Sequence, residues 1–219
     1  MKLDKEKMII GIIGGVGSGK STVTNILKEK YNAFIINTDT IAHTLMEKDQ
    51  TSYKLIVAHF GLSILDKKAN IDRVKLGNIV YNDSEELKKL NSFTHPFVMA
   101  EVKKIIKEKA NEDCKYICIE TALPIEASLD DICDKIWFVY TPIEIRIDRL
   151  KNKRNYSDEK IRNIMSKQLS DEEYKIYASD LIINEGTEEE LSSQIDKILK
   201  KYYKTTQWKE RHGNFHGNM

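Results

Sequence analysis

The segment GIIGGVGSGKST, residues 11–22, stands directly behind the apolar run MIIGII and opens into STVTNILKEKY, which has the spacing of a helix. Strand, glycine loop and helix in that order constrain the fold more than any other feature of the chain. Gly14, Gly19, Lys20 and Ser21 satisfy G-x-x-x-x-G-K-[ST] in the strand-to-helix context that gives the pattern its meaning. Backbone N–H groups of such a loop converge on an anion, and the helix start adds the positive end of its dipole. Lysine reaches the terminal phosphates and the serine hydroxyl offers a magnesium ligand. The residues implicated in holding a nucleoside triphosphate are Gly14, Gly15, Val16, Gly17, Ser18, Gly19, Lys20, Ser21 and Thr22, with Ser21 facing the metal. No N-K-x-D signature for guanine stands at a strand end, and NKRN at residues 152–155 lacks the aspartate, so ATP with Mg2+ is favoured over GTP.

Further short apolar runs recur at residues 33–37 (AFIIN), 116–120 (YICIE), 135–140 (KIWFVY) and 181–183 (LII), with helical patterns between them. Near-continuous apolar strands alternating with helices belong to a parallel sheet covered on both faces. The expected fold is α/β: a three-layer P-loop fold with a central parallel five-stranded sheet flanked by helices, a helical substrate-binding part and a lid. Helices are expected near residues 40–47, 53–60, 72–81 and 83–109, much helix for one crossover, and plain extra packing is the competing explanation. Capping chemistry marks further helix starts at Thr141 with Pro142 and Glu144, at Ser157, and at Thr187 with Glu190.

A triphosphate loop alone leaves the reaction open. Asp39 follows the second strand, on the sheet edge that carries the loop. It can take a proton from an attacking hydroxyl or hold magnesium and water, or it can simply cap the helix beginning TIAHTLM. Arg146, Arg149, Lys151, Lys153 and Arg154 follow the fourth strand. They read either as a solvated helix face or as a lid that closes on a transferring phosphoryl group. Glu120 ends an apolar strand and can hold magnesium through water, or serve as a cap or surface ion-pair partner.

Beyond the loop, INTDTIAH, the FG pair at Phe60 and Gly61, IDRVKLGNIVY, LNSFTHPFV, the RL pair at Arg149 and Leu150, Gln168 and ASDLIINEG occur in a fixed order. In these the chain resembles the dephospho-coenzyme A kinase family over residues 9–203. The resemblance implies transfer of the terminal phosphoryl of ATP to the ribose 3′-hydroxyl of dephospho-coenzyme A. It implies Asp39 as base or orienting group, Lys20 and Arg149 as catalytic cations, and Arg73, His95 and Glu126 as substrate-binding residues beside Asp39. Three departures from the family pattern stand out. Asn37 replaces its first aspartate, ALPIE at residues 122–126 moves a proline while keeping Glu126, and the second lid arginine aligns with Lys153, next to Arg154.

Within 219 residues the reading is one kinase domain over residues 1–204, with a core at about 8–48 and 112–204, a helical part at about 49–111 and a lid at about 146–170. Residues 205–219 read as a tail. With 35 basic against 34 acidic residues, a polybasic nucleic-acid binder is not indicated, and the apolar run at the start stops at the glycines, as a membrane span would not. Three cysteines without metal-ligand spacing read as thiols of a cytoplasmic protein. Oligomeric state stays open. Two other readings are carried: a P-loop kinase acting on a different nucleoside or nucleotide, and an ATP-binding switch without phosphoryl transfer.

Overall fold

Five short strands, none longer than six residues, carry the sheet: β1 Met8–Ile13, β2 Phe34–Asn37, β3 Tyr116–Glu120, β4 Lys135–Tyr140 and β5 Asp180–Ile183. They were traced in a computed structural model that describes residues 7–122 and 129–212, apart from the side chains of Asn82 and of residues 204–212. All pairings are parallel, in the order β2-β3-β1-β4-β5. Side chains alternate across the sheet, so β1 sends Ile10 and Ile12 to one face and Ile9 and Ile13 to the other.

On the first face the core is closed by α1 Lys20–Tyr31 and α9 Glu188–His212, through Val23, Ile26, Leu27, Leu191, Ile195 and Leu199. On the second it is closed by α5 Ser84–Glu108 and α8 Asp171–Tyr177, through Val98, Val102, Ile106 and Tyr174. Each of these buried aliphatic side chains contributes about 1.5–3 kcal/mol relative to exposure. Two faces filled in this way leave only the ends of the strands open for chemistry.

Between β2 and β3 the chain inserts α2 Thr38–Leu45, α3 Thr51–Phe60 and α4 Arg73–Asn82 before α5. Ile56, Ile64 and Leu76 are buried in a separate cluster with Phe60, Leu90 and Phe93. The helix α5 therefore belongs to two cores, its first half to this cluster and its second half to the sheet. After β4 come α6 Ile143–Arg154 and α7 Asp158–Met165, then α8.

Two expectations change. Thr141 does not cap α6, whose N-cap is Pro142 with no side-chain bond; the Thr141 hydroxyl is spent on loop carbonyls instead. The helix α9 runs to His212, beyond the tail boundary read after Lys204, because loss of apolar periodicity ends a packing face without ending helix propensity. None of the described helices is long and apolar enough to cross a membrane.

Candidate active site

At the open end of β1 the backbone turns through the glycine loop and enters α1 at Gly19, the N-cap, which has φ +86°. A Cβ at Gly19 would stand 2.0 Å from Asn184 Nδ2, and one at Gly15 would stand 2.1 Å from an Arg146 guanidinium nitrogen. Glycine is thus demanded twice over, by the left-handed turn and by side chains that press on the loop from behind. Asn184 Nδ2 donates to Ser18 O at 2.8 Å, and Thr141 Oγ1 lies 2.9 Å from both Ser18 O and Asn184 O. Val16 N–H is taken by Gln168 Oε1 and Ser18 N–H by Gly15 O. With the loop carbonyls also fixed from behind, the N–H groups that open the first turn of α1 at Lys20 and Ser21 are positioned for an anion.

Lys20 bends back over this cradle, with Nζ 2.8 Å from Gly14 O and 3.4 Å from Gly15 O. Burial holds its pKa down to about 8 from 10.5. The Glu120 and Asp39 carboxylates oppose that shift, and the charges of Arg146 and Arg154 add to it. The ammonium is short of counter-charge in a site shaped for anions.

Ser21 Oγ donates to Glu120 Oε1 at 2.8 Å, and Thr24 Oγ1 donates to Oε2 at 3.2 Å. Register explains the meeting: Glu120 pairs with Ile12 on one side and Asn37 on the other, so it emerges between the loop and the end of β2. Of the roles open to Glu120, an exposed ion pair is set aside because the residue is buried, and a helix cap because its two oxygens accept from the hydroxyls of Ser21 and Thr24. A hydroxyl and a carboxylate are hard oxygen donors that suit Mg2+, which keeps several waters and shares phosphate oxygens. Among the described residues no group of three or more His, Cys, Asp or Glu forms a metal cage.

Asp39 lies exposed in the first turn of α2, and the cap is made by Asn37, whose Oδ1 accepts from Thr40 N at 2.9 Å. The capping role that competed for Asp39 is therefore filled by the residue that departs from the family pattern. Four residues further along α2, on the same face and about 6 Å up the axis, His43 accepts from Arg73 Nη1 at 3.2 Å through Nε2. His43 and Arg73 line a cavity of about 310 Å³ walled by Met46, Ile71, Leu76, Val80 and Leu90. His95, half-buried on α5, is not among the residues lining this cavity, and Glu126 lies outside the described residues.

The arginines divide. Arg146 is buried, donating from Nε to Val16 O at 3.0 Å and facing Asp171 at 3.5 Å, so it braces the loop from behind rather than closing over its mouth. Arg149 donates to Asn184 O at 3.1 Å beside Gly19. Of Lys153 and Arg154, both exposed, Arg154 is the one whose charge acts on Lys20. Sequence reasoning missed the braces at Thr141 and Asn184 and the cavity residue His43. His43 left a signal, standing one helical turn after Asp39, and Asn184 stands within the ASDLIINEG segment, but neither segment says which atoms those side chains reach.

A glycine loop with its lysine, a serine paired to a strand-end carboxylate and a five-stranded parallel sheet define a P-loop fold built to hold a nucleoside triphosphate. The dephospho-CoA kinase family profile matches residues 8–190, and the chain belongs to that family. The dephospho-CoA kinase of Carboxydothermus hydrogenoformans is 38% identical over 203 residues, covering 92% of this chain and 96% of its own. That of Aquifex aeolicus is 36% identical over 192 residues, covering 88% and 96%. Among solved structures, the dephospho-CoA kinase from Campylobacter jejuni superposes with TM-score 0.65 at 25% identity, covering 90% of this chain and 98% of its own. Shikimate kinase from Acinetobacter baumannii, at 14% identity and TM-score 0.56, covers 90% and 94% and shares the fold alone.

Proposed function

We propose that the protein transfers the terminal phosphoryl of ATP to the ribose 3′-hydroxyl of dephospho-coenzyme A, giving coenzyme A and ADP. The observation that carries this reading is the run along α2 from Asp39, two residues past the Asn37–Glu120 pair that meets Ser21 of the loop, to His43 at the Arg73 cavity. The loop and Lys20 hold the β and γ phosphates. Ser21 and, through water, Glu120 would hold Mg2+, which neutralises charge on the phosphates when bound. Asp39 accepts the proton of the attacking hydroxyl or orients it. Arg149 and Arg154 supply cationic charge from α6 to the equatorial oxygens of the transferring group. Arg73 is the anion-binding group of the acceptor cavity, and His95 and Glu126 are further substrate-binding residues by their place in the family pattern. Residues 49–111 form the acceptor-binding part, residues 146–170 the lid, and the enzyme works in the cytoplasm.

The test is ADP release coupled to a reporter, with dephospho-coenzyme A as acceptor and a panel of nucleosides, nucleotides and sugars beside it. Turnover is expected with dephospho-coenzyme A and is expected to fall by about 10²–10⁴ in Asp39→Asn, with the thermal transition unchanged because Asp39 is exposed. Turnover with another acceptor alone would overturn the substrate, and ATP binding with no acceptor phosphorylated would make the protein a switch.

A further inference from the structure

Both peptide groups of Val16 are held by the α6–α8 region. Arg146 Nε donates to its carbonyl at 3.0 Å, and its N–H donates to Gln168 Oε1 at 2.8 Å. Gln168 sits in the turn between α7 and α8, where its own N–H donates to Met165 O. The same connection is anchored from two other directions. Asp171, three residues on, faces Arg146, and Lys167 reaches α4, with Nζ 3.4 Å from Tyr81 O and 4.3 Å from the Tyr81 ring centroid. Since α4 also carries Arg73, Leu76 and Val80 of the acceptor cavity, two adjacent residues touch the donor loop and the helix that supplies one wall of that cavity.

We propose that Gln168 is a positioning residue for the phosphate loop: by accepting from Val16 N–H it holds the loop in the shape that receives a nucleotide, and Lys167 ties it to α4. The physical reason is that loop N–H groups must converge to bind phosphate. A Val16 peptide free to turn would scatter them and lose the preorganisation that lowers the cost of binding. The proposal rests on the kinase reading but not on the identity of the acceptor.

The test therefore uses nucleotide binding without transfer. Calorimetry with ADP and Mg2+ and amide exchange at Val16 are compared in the wild type, Gln168→Met, which keeps the volume and removes the acceptor, and Gln168→Glu, which keeps an acceptor oxygen. In Gln168→Met, exchange at Val16 is expected to rise and ADP affinity to fall, each by about threefold to tenfold, the span of one neutral hydrogen bond. Gln168→Glu is expected to keep Val16 protected. Should Gln168→Met fail to show a cooperative thermal transition, Gln168→Asn, one methylene too short to reach, carries the same expectation. Wild-type ADP affinity in the variants that lose the acceptor would overturn the proposal, as would weakened ADP binding with Val16 still protected. A Lys167→Met variant in which amide exchange across α4 stays at the wild-type rate would overturn the tie to that helix.

Discussion

Lys20 shows how a single residue turns burial into a pH signature. Its folded pKa, about 8, lies below its ordinary 10.5. Between those values the unfolded chain binds more protons, so the penalty of holding the charged form is full below pH 8 and disappears as pH rises toward 10.5. Phosphate reverses the shift by stabilising the ammonium. Nucleotide binding at pH 8.5–9 is therefore expected to take up a proton at Lys20, while at about pH 6.5 the group is already charged and no uptake from it is expected. Calorimetry in buffers of different ionisation enthalpy reads this directly. In Lys20→Arg, whose guanidinium stays charged throughout, the uptake at the higher pH should vanish; its persistence there would assign the proton to another group. At this scale the sequence was most informative where a motif names the atom. The pattern places Lys20 and Ser21, but it could not say that Asn37 takes the cap and so leaves Asp39 unspent. That depends on which side chain faces the Thr40 N–H, and the two residues differ from each other by one group.

At the scale of elements, apolar period and turn chemistry made all five strands and the four inserted helices legible to within a few residues. The capping box at Thr187 and Glu190 also forms, each side chain meeting the other's backbone N–H. A second box, at Ser170 and Glu173, opens α8. Thr141 marks the limit of local signals. Thr-Pro-x-Glu is good capping chemistry, yet two carbonyls distant in sequence compete for the hydroxyl and win, joining the ends of β1 and β5 across β4. Removing that hydroxyl by Thr141→Val leaves Ser18 O with Asn184 Nδ2 and Asn184 O with Arg149. The expected loss is accordingly modest, about 1 kcal/mol. It would appear as a lower urea midpoint at unchanged slope, together with weaker ADP binding, because Ser18 belongs to the loop. A midpoint lowered with ADP affinity unaltered would show that the brace serves the fold and not the site.

Across the whole molecule, the helix α5 joins the core of the sheet to the cluster of inserted helices. Its first half packs with α3 and α4 through Leu90 and Phe93, and its second half lies on the sheet through Val98, Val102 and Ile106. Pro96 stands between them inside the helix. Lacking an N–H, it cannot bond Ser92 O, and its ring crowds that carbonyl, so the helix is weakest where it passes from one core to the other. A sequence pattern shows His-Pro but not that the proline falls at this junction, since the two clusters exist only once the chain is folded. Proline in a helix interior is about 3 kcal/mol less favourable than alanine. With relaxation of the surroundings, Pro96→Ala is expected to stabilise by about 1–3 kcal/mol, a rise of about 2–12 °C in the midpoint of a domain this size. If the weak point lets the acceptor cavity close toward Asp39, a stiffer α5 slows closure. Pro96→Ala should then lower kcat and alter KM for dephospho-coenzyme A while leaving ADP affinity untouched, since the loop is braced from α6 and α8 rather than α5. Thermal melts and steady-state kinetics on the same preparation separate the possibilities. A higher midpoint with wild-type kcat would confine Pro96 to stability, whereas a higher midpoint with slower turnover would make the softness of this helix part of how the two halves of the site meet.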